Sequence, residues 1–127
     1  MLILIMNGIE AMTAISDRPR ILTIISGPAE AGGIMIAVED TGPGIDPADA
    51  DRIFEPFFTT KEPGQGMGLG LFLTRNVIER LGGTLKLSST LSQGTTAEVT
   101  LPKGESGEWR VESQSSTSMV EINVRNS

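Results

Sequence analysis

The sequence predicts a single mixed α/β domain, and three observations carry that prediction. Two stretches repeat apolar residues at helical spacing, near residues 1–15 and 69–81. Two pairs of short runs rich in Ile, Val, Leu and Thr are each joined by a glycine-containing loop, as strands of a hairpin are. The length of 127 residues, 39% of them hydrophobic, suffices for one modest core and no more.

The elements follow in order. Leu2, Ile5, Met6, Ile9 and Met12 recur at steps of three and four and predict a helix over the first 15 or so residues. No capping residue precedes the pattern, which reads as if it begins upstream of Met1. Ser16-Asp17-Arg18-Pro19 is turn chemistry. Strands are predicted over 20–26 and 34–39, joined by the loop Gly27–Gly33. Residues 40–47 are irregular. Residues 47–54 predict a short helix with acidic residues near its start, where the helix dipole favours them. Residues 59–67 form a Gly/Pro-containing loop. Leu69, Phe72, Leu73, Val77, Ile78 and Leu81 predict a helix with one buried stripe, ended by Gly82-Gly83. Two more strands, 84–89 and 95–101, flank a turn at 91–94, and Pro102 closes the domain. From Lys103 to Ser127 Ser, Glu, Gly and Asn dominate, so this part reads as a flexible tail or linker, except where 119–124 alternates like a strand.

Composition removes several classes of function. The net charge is −6, which disfavours a nucleic-acid surface. A phosphate site in this chain must therefore rest on backbone N–H groups, a helix end and a metal ion rather than on a basic patch. With no cysteine there is neither a disulfide framework nor thiol chemistry, and with no histidine there is no imidazole base, metal ligand or phosphohistidine. The apolar opening Met1–Met6 is too short to span a bilayer and lacks the marks of a signal peptide. A cytoplasmic domain without direct membrane contact is the expectation.

Two glycine-rich turns are the chemical signal. Asp40-Thr41-Gly42-Pro43-Gly44-Ile45 opens with a carboxylate that can accept a hydrogen bond from an exocyclic amine and so select adenine over guanine. A turn-initiating Asp is the plainer alternative. Gly64, Gly66, Gly68 and Gly70 alternate with apolar Met67, Leu69 and Leu71 and run into the second helix. That pattern suits a loop whose N–H groups turn toward phosphate oxygens at a helix N-terminus; a plain linker would be polar. It is neither a Walker loop, since no Gly-Lys-Ser/Thr follows, nor a Rossmann fingerprint, since no strand precedes it. Asn7 offers an amide oxygen suited to Mg²⁺, or simply lies on the polar margin of its helix. Lys61 can reach a terminal phosphate as a point charge, or is a solvated lysine. Phe54, Phe57 and Phe58 form a hinge or docking surface, or belong to the core.

In this order the motifs resemble the ATP-binding catalytic domain of sensor histidine kinases, within the superfamily shared with gyrase, Hsp90 and MutL. Asn7–Met12 is similar to the N box, Asp40–Ile45 to the first glycine box, Phe54–Lys61 to the F box, Gly66–Leu71 to the second glycine box, and Gly94-Thr95-Thr96 leading to Leu101-Pro102 to the final box. The resemblance covers residues 1–102. It implies an α/β (α+β) two-layer sandwich of the Bergerat ATP-binding type, with a mixed, mostly antiparallel sheet covered on one face by helices and truncated at its N-terminus. It implies that Asn7 binds Mg²⁺, that Asp40 binds the adenine amine with support from Thr96, and that Gly42, Gly44 and Ile45 line the base pocket. Gly66, Gly68, Leu69 and Gly70 would contact phosphates, Lys61 would assist transfer, and 59–67 would be a lid. The cofactors implied are ATP and Mg²⁺. The partner implied is a histidine-bearing dimerization and phosphoacceptor domain, and through it a response regulator. Ile3 departs from the pattern: it occupies a position that often holds a second polar residue and, in hydrolysing relatives, a glutamate. Two other readings share these residues: a nucleotide-binding or docking module without kinase activity, and a stand-alone serine kinase of the anti-sigma type.

Overall fold

The computed structural model describes residues 2–29, 32–58, 70–102 and 118–123. They form α1 (Leu2–Met12), β1 (Ile21–Pro28), β2 (Ile34–Asp40), α2 (Gly70–Arg80), β3 (Thr84–Thr90), β4 (Gly94–Leu101) and β5 (Ser118–Asn123). One five-stranded sheet has the order β3-β4-β2-β1-β5, and every neighbouring pair is antiparallel. α1 packs on β2 and β1, α2 packs on β3, and the helices touch each other. The result is the expected α+β two-layer sandwich.

Cross-strand partners share a face, so the register sorts every side chain. Leu22, Val38, Ala97, Val99 and Leu85 lie on the helical face and meet Leu4, Met12, Ile15 and Ile78 in the core. The opposite face carries Thr23, Glu39, Thr96, Glu98 and Lys86.

Each helix buries only part of the stripe its periodicity predicts. α1 buries Leu4, Gly8 and Met12, with Ile5 and Ile9 beside them, while Leu2 and Met6 face solvent. Its first residues are apolar all round, so spacing alone does not choose the face. α2 buries Thr74 and Ile78 and leaves Leu73, Val77 and Leu81 exposed. α1 ends at Met12 because the chain tightens into three-residue turns, and Arg20 caps them by donating to the carbonyls of Thr13 and Ile15. α2 ends where Gly82 takes a φ of +82° and Gly83 N–H reaches back to the Ile78 carbonyl at 2.9 Å.

The short helix expected over 47–54 is instead a run of turns. Asp49, Ala50 and Arg52 N–H groups bond to carbonyls three residues earlier, and no longer ladder forms. Eight residues bounded by prolines do not repay the cost of nucleating a helix. The segment read as a tail contributes β5, paired with β1 from Ile21↔Asn123 to Ser26↔Ser118. No helix among the described residues is long and apolar enough to cross a membrane.

Candidate functional site

At one end of the helical face, the apolar rows give way to a polar one. Asp40, the last residue of β2, faces Thr95 on β4, and Thr95 faces Ser89 on β3. The Asp40 Oδ1 accepts a hydrogen bond from Gly42 N–H at 2.9 Å. Burial pushes the Asp40 carboxyl above its ordinary value, and backbone hydrogen bonds from Gly42 and Thr95 partly oppose that rise. A half-buried carboxylate with a fixed orientation is a strong acceptor for an amine that can follow it out of water.

The turn after Asp40 is braced from two sides. On one side Ile45 N–H donates to Ser89 Oγ at 2.7 Å, and Ser89 Oγ also lies 3.0 Å from both the Gly94 carbonyl and Thr95 Oγ1. Ser92 N–H donates to the Pro43 carbonyl at 2.7 Å. On the other side Arg18 donates to the carbonyls of Thr41 and Gly42, and Thr41 Oγ1 joins the Pro19 carbonyl and Ile21 N–H. Two glycines make these approaches feasible. Gly44, at φ +81°, lies against the Thr90 carbonyl, and Gly94, at φ +138°, lies against that of Asp40; a Cβ at either position would overlap the backbone oxygen.

α1 lines up the candidate residues. Ala11 stands over Gly42, Gly8 packs against Leu22 and Asp40, and Asn7 and Ile3 stand beside Gly70, the first residue of α2. From Ala11 to Asn7 is four residues of helix, about 6 Å, and Ile3 lies one turn further on. One end of this line carries an acidic acceptor in a glycine turn. The other carries an amide side chain and a helix N-terminus, where backbone N–H groups and the helix dipole favour anions.

The structure thus brings together Asp40, Gly42, Gly44 and Ile45 at one end, and Asn7 and Gly70 at the other. Thr96 does not join them. It faces Glu39 and Ser88 on the opposite side of the sheet, and Thr95 holds the place beside Asp40 that Thr96 was expected to fill. Two adjacent threonines look alike in sequence; only the register decides which shares a face with Asp40. Lys61, Gly66, Gly68, Leu69 and the lid at 59–67 lie outside the described residues. Sequence reasoning missed Arg18, Ser89 and Gly8. The first is marked by nothing local, while alternation along β3 could have flagged Ser89. The phenylalanines divide: Phe54 packs on the core beneath Arg75, Phe58 lies beneath Arg52, and Phe57 is 68% exposed with a φ of +68°.

An α+β sandwich that sets an acidic acceptor in a glycine turn and a helix N-terminus along one helix fits a nucleotide-binding class of domain. The chain belongs to the histidine kinase-, DNA gyrase B- and HSP90-like ATPase family, whose profile matches residues 1–105. It is similar to the sensor protein TdiS of Thauera aromatica, 43% identical over 100 residues, which are 78% of this chain and 18% of TdiS. It is also similar to the sensor kinase CckA of Brucella abortus, 49% identical over 75 residues, 58% of this chain and 8% of CckA. The chain therefore spans only a small part of the curated relatives it matches. Among solved structures it resembles full-length ShkA in complex with AMPPNP, with a TM-score of 0.66 and 28% identity over 80% of this chain and 20% of that one. The nucleotide-free catalytic domain of histidine kinase ThkA gives a TM-score of 0.64 and 32% identity, covering 80% of this chain and 62% of that one.

Proposed function

We propose that this chain is the ATP-binding catalytic domain of a two-component sensor histidine kinase, with residues 1–102 as the domain and 103–127 as its extension. It passes the γ-phosphoryl group of ATP to a histidine on a separate dimerization and phosphoacceptor domain. The observation that carries this reading is the alignment along α1, with Asp40 at one end and Asn7 beside the start of α2 at the other.

Asp40 accepts the adenine amine, and Gly42, Gly44 and Ile45 shape the wall around the base. The phosphates are assigned to the N-terminus of α2 at Gly70 and to Gly66, Gly68 and Leu69, which precede it in the sequence, and Lys61 is assigned to the terminal phosphate. Mg²⁺ fits the donor chemistry at Asn7: a single amide oxygen suits an ion that takes most of its ligands from phosphate and water, and no cluster of three acidic side chains occurs among the described residues. When bound, that ion neutralises phosphate charge. The chain's own residues hold and orient the triphosphate, which is most of what this chemistry needs from a protein. The nucleophile is the partner's imidazole nitrogen: its bond to the γ-phosphorus forms as the bond to the β–γ bridging oxygen breaks, and ADP leaves.

Docking to a helical partner is supported by the outward apolar stripe of Leu73 and Val77 on α2 and Leu81 just past its end; Phe57 is exposed as well. Contiguous exposed apolar side chains of this kind mark interaction surfaces. One observation favours binding without hydrolysis: Ile3, beside Gly70, has no group to activate water. The site of action is the cytoplasm, whether or not a longer parent is anchored in a membrane, and a response regulator takes the phosphoryl group from the histidine.

The test is direct. The chain is incubated with Mg²⁺ and γ-labelled ATP, with and without a purified histidine-bearing dimerization domain of a sensor kinase. Label on the partner's histidine that vanishes with Asp40→Asn is the expected result. ATP binding with no transfer to any such domain would leave the module reading in place, and no ATP binding at millimolar concentration would remove both.

A further inference from the structure

Arg18 belongs to the turn between α1 and β1, and its side chain is only 25% exposed. Its nearest acid, Asp17, is well exposed and lies 3.3 Å from Nη1. The rest of the guanidinium points inward. Nε donates to the Thr41 carbonyl at 3.0 Å, and Nη2 donates to the Gly42 carbonyl at 2.6 Å. Two backbone oxygens are a costly destination for a half-buried cation unless their geometry matters, because a carboxylate partner would hold it more tightly.

The Thr41 carbonyl and the Gly42 N–H belong to one planar peptide unit. That same N–H donates to Asp40 Oδ1. The cation, the peptide and the carboxylate therefore form one hydrogen-bonded series: Arg18 Nε–H to Thr41 O, then Gly42 N–H to Asp40 Oδ1. A charge at one end of such a series polarises the peptide and strengthens the bond at the other. The second contact, to the Gly42 carbonyl, fixes the next peptide and stops the first from rotating. Thr41 Oγ1, tied to Pro19 and Ile21, anchors the turn to the segment that carries Arg18.

We propose that Arg18 is the positioning residue for the Asp40 carboxylate, acting through the Thr41–Gly42 peptide, and that it sets the preference of this site for adenine over guanine. The inference rests on the nucleotide reading above and goes beyond it, since that reading assigns Arg18 nothing. Guanine presents a carbonyl where adenine presents its amine, so a carboxylate held in one orientation accepts the first ring poorly and the second well. A carboxylate free to rotate discriminates less.

Mg-ATP and Mg-GTP are titrated separately into the full 127-residue chain and into Arg18→Met and Arg18→Lys, with thermal melts of the empty proteins alongside. Arg18→Met is expected to lower ATP affinity about tenfold, the loss expected for bonds to a charged group, and to leave GTP affinity unchanged, so that the ATP/GTP ratio falls by the same factor. Arg18→Lys retains the charge but cannot span both carbonyls, and is expected to lose about threefold. If Arg18→Met does not fold, the lysine variant carries the test. An unchanged ratio in a folded variant overturns the proposal, and so does an equal fall for both nucleotides, which is what a purely structural arginine would give. A wild-type chain that binds neither nucleotide overturns the nucleotide reading and this inference with it.

Discussion

The two ends of the row of residues along α1 are built differently. The Asp40 end is held by hydrogen bonds from β3, from the β3–β4 turn and from the segment before β1, and two glycines let backbones meet there closely. The Asn7 end, as far as the described residues go, is a contact between two helices, with Gly70 against Ile3 and Asn7. The first end can discriminate, because its acceptor is fixed before a ligand arrives. The second can attract, because a helix N-terminus offers N–H groups and partial positive charge to any anion of suitable size. In the proposed reading, selectivity and charge binding are set about 6 Å apart along a single helix, the four-residue step from Ala11 to Asn7 at about 1.5 Å per residue.

The largest expected effect breaks that contrast at a glycine. Gly94→Ala puts a Cβ onto the Asp40 carbonyl at a φ that side chains rarely adopt. It should cost about 3 kcal/mol in urea unfolding, the range of a forced backbone clash, and abolish nucleotide binding. Gly70→Ala is its counterpart at the other end. There the new Cβ meets the Ile3 side chain at 3.2 Å, and Ile3 is half exposed and can yield. Its effect on stability should stay within about 0.5 kcal/mol. Equal costs at the two glycines would mean that the Asp40 end is no more rigid than the Asn7 end.

A second pair of variants separates the chemistry of the ends. Asp40→Asn should weaken ATP binding by about 10- to 100-fold, with or without Mg²⁺, because it removes a charged acceptor. Asn7→Ala should weaken binding about tenfold in Mg²⁺ and leave binding in EDTA unchanged. The empty protein adds a sign. Burial raises the Asp40 carboxyl above 3.8, so the stability it contributes is fully present below that pH and is lost as pH rises through the raised value. At neutral pH the empty Asp40→Asn protein should melt higher than wild type, and its melting temperature should fall less between mildly acidic and neutral pH. A site that gains stability when its carboxylate is replaced is one whose carboxylate is kept for binding.

How much of this was legible in the sequence depends on whether a feature is local. The α2 terminus was legible because Gly82-Gly83 has a local mechanism, the left-handed cap. The two hairpins were legible because alternation is local as well. The buried face of α1 was not, since Leu2 to Met6 are apolar without a break and only β1 and β2 choose among them. On α2 the apolar stripe was visible, but not that Leu73, Val77 and Leu81 would face outward, because amphipathicity reports an apolar face and not what covers it. Residues 47–54 have the composition of a helix start without the length to sustain one. Asp40 and the glycines around it could be proposed as a site because they stand in order with four other motifs; the Asp-x-Gly-x-Gly spacing alone is weak. Arg18 was not, because its role arises from a carbonyl 23 residues away.

The finest test of the base end uses two neighbouring threonines. Thr95 lies on the helical face between Asp40 and Ser89, with Oγ1 3.0 Å from Ser89 Oγ, whereas Thr96 lies on the far face against Glu39 and Ser88. Thr95→Val keeps the shape of the side chain and removes its hydroxyl, so it loosens the polar row by one neutral hydrogen bond. ATP affinity should fall about three- to fivefold, since such a bond is worth about 1 kcal/mol. Thr96→Val makes the same chemical change one residue on and should leave affinity as it is, as read in the same calorimetric titration. Because a strand turns its side chains over at every step, the register of β4 against β2 is what makes the two substitutions unequal. If Thr96→Val proved the more damaging, the base would have to approach Asp40 from the open side of the sheet, and α1 would no longer be the element that joins the two ends.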